Sequence, residues 1–141
     1  MKLLISASLL ALTAGAAAAQ DKTLTISVYG ISQDAYKEAL YTPFEEKCGC
    51  SLVIELGNSS ERLAKLEANA ASPVVDVIAF ADVSALEAAD KGLIQPLDHA
   101  KLPSIAALYD FAKDPVGGNK AVGSTFYGTS IVYDSDVVDG V

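Results

Sequence analysis

The 141-residue chain has no tryptophan, a single methionine and a single histidine, His99. One imidazole excludes a metal site built from several histidines, and a Ser/His/Asp triad would have to be assembled around His99. Basic residues are also few: 10 Lys and Arg stand against 18 Asp and Glu, for a formal charge of −8. That balance excludes nucleic acid as a partner, because phosphate contact needs a basic surface. It is compatible with a cationic ligand, although acidity also simply aids solubility. Neither a P-loop nor a Gly-x-Gly-x-x-Gly fingerprint occurs. Kinase and dehydrogenase chemistry therefore has no foothold, and no motif calls for a cofactor.

Cysteine is nearly absent too. Cys48 and Cys50 enclose only Gly49, which is not the Cys-x-x-Cys of a thioredoxin-like site. Two thiols are also too few for a metal. In an oxidising compartment they can pair with each other in a small ring, or one can pair with a cysteine beyond residue 141. A structural role is the favoured reading and a redox pair the alternative.

The one long apolar run lies at the start. Lys2 supplies a positive flank, Leu3–Leu12 an apolar stretch, and Ala17-Ala18-Ala19 a small-residue cleavage site before Gln20. Residues 1–19 thus read as a signal peptide. The stretch is too short and too alanine-rich for a membrane span, the alternative being an uncleaved anchor. No cysteine marks a lipoprotein cleavage point. Residues 20–141 should be exported, most simply to a bacterial periplasm.

That remainder suits one modest α/β unit rather than two full domains. Thr23–Tyr29 alternates polar and apolar as a strand does. Ser32 and Asp34 open a helix that Pro43 breaks or kinks before Phe44–Lys47 resumes it, and Gly49 closes it. Ser51–Leu56 is a second strand. Asn58-Ser59-Ser60-Glu61 offers a cap with an acid three residues on, starting a helix over Glu61–Ala70. Val75–Phe80 reads as a third strand, covered on both faces. Asp82 then caps a helix carrying Val83, Leu86 and Ala89 on one side, ended by Lys91-Gly92. This β-α-β-α-β-α order predicts an α/β fold with a mostly parallel sheet flanked by helices. Beyond Leu97 the pattern loosens. A short helix is expected over Ser104–Phe111, two extended segments over Lys120–Phe126 and Thr129–Tyr133, and the start of another helix at Asp134-Ser135-Asp136.

Taken in order, several segments resemble the N-terminal part of the extracellular solute-binding proteins of ABC importers. LTISVYGIS (Leu24–Ser32) is similar to the family's first strand and ligand loop. FEEKCGCSLVIE (Phe44–Glu55) resembles its "FEKxTG-x-x-V" segment, with Cys48 where threonine is usual. SSERLAKLEA (Ser59–Ala68), VVDVIAFAD and KGLIQPLD resemble "LLAKL…DVV…GLLQPLD", and GSTFYGTSIVYDSDVV (Gly123–Val138) resembles "VPYxxGTxGIxYNxDxV". The nearest branch is that of polyamine (spermidine/putrescine) and ferric-iron binders.

The resemblance implies two α/β lobes that close on solute by a hinge. Residues 20–141 would form most of the first lobe, with the second lobe absent and the chain an N-terminal fragment. It implies solute capture without chemistry and delivery to an inner-membrane ABC permease. Ligand contacts carried over from the loops after strands are Tyr29 and Gly30, Ser59 and Ser60, Ala81 and Asp82, and Tyr127. A polyamine-like cation would take Asp82 as counter-charge and Tyr29 or Tyr127 as a wall. An anion would take Ser59, Ser60 and the helix dipoles. Polyamine binders box their ligand with tryptophan, which this chain lacks, and iron binders use tyrosines beyond this segment, so the solute stays open. The competing readings are a periplasmic thiol protein using Cys48 and Cys50, and a truncated product without function.

Overall fold

The computed structural model describes residues 22–134 and Val137. The signal peptide expected at 1–19 lies outside them, as do Ser135 and Asp136 of the last expected helix. Strand β1 (Lys22–Val28) lies between β2 (Cys50–Leu56) and β3 (Val77–Ile78), and both pairings are parallel. The register places Lys22 opposite Cys50 and Val28 opposite Leu56. Helices α1 (Gln33–Tyr36) and α2 (Thr42–Cys48) lie between β1 and β2, and α3 (Ser59–Ala68) lies between β2 and β3. Helix α4 (Asp82–Asp90) follows β3. The expected α/β fold, a parallel sheet flanked by helices, is therefore what forms.

The order β2-β1-β3 has a topological consequence. The chain steps from β1 to β2, then crosses back over β1 to reach β3. Right-handed crossovers place the two connections on opposite faces of the sheet. The reversal point lies at the carboxyl ends of β1 and β3, where open α/β sheets form a crevice.

The helix expected to kink at Pro43 instead continues through it. Residues Lys37–Tyr41 form a π-helical turn, and α2 starts at Thr42 with Pro43 in its first turn. The wider turn absorbs the proline, whose missing N–H would break an ordinary i→i−4 ladder. Ser32 precedes α1 at a positive φ of 55° without a side-chain capping bond, so it does not cap as expected. Gly49 closes α2 at φ 60°, in the left-handed region that suits glycine. A disulfide joins Cys48 to Cys50 across it.

The core is thin. Leu63, Leu66 and Ala88 are its buried centre, with Ile78, Phe80, Leu93 and Ile94 packed around them. The face α4 buries is Ala85, Ala88 and Ala89, whereas Val83 is 79% exposed. The expected Val83–Leu86–Ala89 face is thus corrected: small alanines let α4 approach the leucines of α3 closely. Strand β3 is shorter than expected, and with Val77 58% exposed it is not covered on both faces.

Past α4 the chain runs through 3₁₀ turns at His99–Lys101 and Pro103–Ala107 and a short α5 (Asp110–Lys113). These replace the single helix expected over Ser104–Phe111. Lys120 Nζ donates to Ala89 O at 2.8 Å and Gly123 N–H to Ala112 O at 2.7 Å, pinning the following segment. The extended segments foreseen over Lys120–Phe126 and Thr129–Tyr133 join no strand ladder among the described residues.

Candidate functional site

The loops after the three strands converge on one hydroxyl. Asn58 ends the turn after β2 and caps α3: its side chain accepts from Glu61 N–H at 3.0 Å, and Glu61 Oε2 accepts from Asn58 N–H at 2.9 Å. This is a reciprocal capping box, and it starts α3 at Ser59, two residues earlier than expected. Ser59 becomes the first helical residue, at the edge facing the other two strand ends. Its Oγ accepts from Ala81 N–H, at the end of the β3 segment, at 2.9 Å. The same Oγ lies 2.6 Å from the hydroxyl of Tyr29, which follows β1, and either oxygen can donate. One side chain thus ties the ends of β1, β2 and β3 together.

Tyr29 is fixed on two more sides. Gln33 Nε2 donates to its carbonyl oxygen at 2.5 Å. The Arg62 guanidinium carbon lies 4.0 Å from its ring centroid. Arg62 is only 3% exposed and its Nη1 donates to Gly57 O at 2.6 Å. Ser59, Arg62, Leu63 and Leu66 stand at i, i+3, i+4 and i+7, one face of α3. An open depression lies over this edge, lined by Tyr29, Gly30, Ile31, Leu56, Gly57 and Asn58. Gly57 sits against Arg62: a Cβ there would stand 3.4 Å from Arg62 Cγ and from Glu61 Oε2.

The sequence-derived residues divide into two groups. Tyr29, Gly30, Ser59 and Ala81 come together at the carboxyl edge. Ser60 and Asp82 lie in the first turns of α3 and α4, but neither caps: the N-cap positions belong to Asn58 and Ala81. Asp82 is exposed on this edge. Tyr127 is not brought in; it is 77% exposed in an extended stretch and makes no hydrogen bond or ring contact with the other site residues. Arg62 was missed by sequence reasoning. Its signal is a charged residue on the same helical stripe as Leu63 and Leu66. Among the described residues, no cluster of three or more His, Cys, Asp or Glu stands ready for a metal ion.

A profile of the family described as "Bacterial extracellular solute-binding protein" matches residues 39–139, most of the chain. The chain belongs to this family, whose place is outside the cytoplasm. It is similar to the solved structure of an ABC transporter protein from Clostridium perfringens, at 31% sequence identity and a TM-score of 0.60. That similarity covers 64% of this chain and 28% of the clostridial one, so the chain spans well under half the length of the protein it matches. Comparison with curated proteins finds no match.

Proposed function

We propose that residues 20–141 form the first lobe of a two-lobed, exported protein that captures a small solute for an inner-membrane ABC permease. Residues 1–19 serve as its signal peptide. The protein binds and hands over the solute without transforming it. The observation that carries this reading is the Ser59 hydroxyl, which holds the loops after all three strands in one place at the switch point of the sheet. Tyr29, Gly30, Ser59, Ser60 and Asp82 form this lobe's share of the solute site. Tyr127 belongs to it only if the exposed segment around Gly128 folds toward the same edge.

The resemblance of its segments to the polyamine and ferric-iron branch favours a polyamine-like cation or iron. The exposed carboxylate of Asp82, next to Ala81, supports a cation as counter-charge. A specific observation favours a second reading, an anionic solute: the Arg62 guanidinium already occupies one face of the Tyr29 ring.

The test is a titration of the full chain with a panel of small solutes, including putrescine, spermidine, inorganic phosphate and dicarboxylates. Saturable binding without turnover is expected. Ser59→Ala should weaken the solute that binds by about tenfold, as loss of the hydroxyl that holds Tyr29 and Ala81 in place would do. A folded protein that binds nothing on a wide panel sinks the reading.

A further inference from the structure

We infer that Arg62 sets this site for an oxyanion, a carboxylate or phosphate group of the solute, held at the hydroxyl end of Tyr29. The inference rests on the solute-capture reading above and names the charge of what is captured.

The first observation is an unmatched charge. Arg62 is 3% exposed, and neither Nε nor Nη2 finds a hydrogen-bond partner among the described residues. The ion pairs of those residues are all made by lysines, so no carboxylate neutralises this guanidinium. Glu61, the acid beside it in sequence, has its carboxylate engaged by Asn58 N–H. Arg62 also lies in the first turn of α3, where the dipole is positive and a cation is disfavoured. A buried, uncompensated cation at the positive end of a helix is costly in isolation. An anion arriving nearby removes that cost, and because the guanidinium is buried, water and salt screen the attraction little.

The second observation is the aromatic ring. A cation over one face of a tyrosine draws on the electron density that a second cation would need on the other face. With Arg62 seated 4.0 Å from the centroid, Tyr29 is a poor wall for an ammonium. Tyr29 is 38% exposed and borders the depression with Gly30, Gly57 and Asn58.

The third is the sense of the hydrogen bonds. Ala81 N–H donates to Ser59 Oγ. When Ser59 donates to Tyr29 Oη, the Tyr29 O–H is left to donate outward. Three donors then point the same way and polarise one another. An oxyanion at the Tyr29 hydroxyl is the group that this sense serves. Asp82 opens α4 on this edge and the Glu61 carboxylate is held by Asn58 N–H beside Gly57, so the anion belongs at the Tyr29 ring, away from both acids.

The experiment titrates the full chain with inorganic phosphate, succinate and spermidine at one ionic strength. Phosphate or succinate is expected to bind saturably and spermidine not, and the two anions separate a phosphate site from a carboxylate site. Arg62→Gln should weaken the bound anion tenfold or more, and Arg62→Lys less. The loss should follow the charge: Arg62→Lys, which disturbs the packing as well, should keep most of the anion affinity, whereas a purely structural defect would weaken both variants alike. Circular dichroism checks that the variants fold, and the comparison of probes on the unaltered protein needs no variant. Binding of spermidine alone, or an Arg62→Gln protein that binds the anion as before, overturns the assignment and leaves solute capture standing. Silence from all three probes also overturns it, while the wider panel separately decides solute capture.

Discussion

Two stretches of this chain, both rich in apolar side chains, end in opposite conditions. Between β1 and the end of α4, apolar residues recur at strand or helix spacing, and Leu63, Leu66 and Ala88 become buried against one another. Between Phe126 and Tyr133 the side chains are comparably apolar, yet Phe126 is 81%, Ile131 92% and Val132 90% exposed. Composition is therefore not what buries a residue here. Burial follows where a period matches an element that already has a neighbour, as α3 has α4. The later stretch has β-like residues without a strand beside it among the described residues. The pins at Lys120 and Gly123 mark where one condition gives way to the other.

The sharpest way to break this contrast is to truncate one leucine or isoleucine on each side of it. Leu66→Ala should cost about 2–4 kcal/mol, from lost burial and the cavity left behind. Ile131→Ala should stay within about 0.5 kcal/mol, as an exposed change does. Urea unfolding of the full chain reads both. Equal losses would mean that Ile131 packs in the protein as tightly as Leu66.

A smaller effect is expected from the start of α3. Asn58→Ala removes one half of the capping box and should destabilise by about 1 kcal/mol. It should also loosen Ser59, so the solute affinity should fall with the stability. Loss of stability with unchanged affinity would show that Ser59 is held by Tyr29 and Ala81 alone.

How far all this could be read from the chain differs residue by residue. The parallel sheet, the closing Gly49 and the strand-end positions of Tyr29 and Ser59 were legible, because alternation, turn residues and helical spacing are local signals. Asp82 was misplaced by one position as a cap. Several side chains in a row can cap, and only the fold decides which backbone N–H is left over. The π turn before Pro43 was illegible, since a proline in the first turn and a proline at a break look alike in sequence. Arg62 was overlooked because a charged residue in a helix normally faces water. The family segment it resembles, "LLAKL", carries a leucine at its place, which suits the apolar stripe that the arginine here interrupts. The two segments beyond Lys120 were read from β propensity alone, which describes a fit to neighbours rather than a backbone preference.

The smallest expected effect lies on the surface of the well-packed region. Hydrogen bonds and attraction from Glu67 and Glu87 raise the Lys91 ammonium above its ordinary value of 10.5. A raised lysine stabilises the fold fully below its unfolded value. That contribution is lost as pH rises above 10.5 and through the folded value. Lys91→Met should therefore lower Tm slightly at neutral pH and make no difference at the alkaline end. High salt should shrink the neutral-pH difference, because the groups are exposed. A difference that persists at the alkaline end would assign Lys91 a packing role.

One contact on the far side of the sheet bears on how copies of this protein meet. Glu45 of α2 reaches over the outer strand, and its Oε1 accepts from Leu52 N–H at 2.7 Å. An exposed outermost strand is an invitation to any other extended polypeptide, which can line up along it and start an aggregate. With the amide near the middle of β2 already occupied from within, one of the groups such a strand would pair with is withdrawn on this flank.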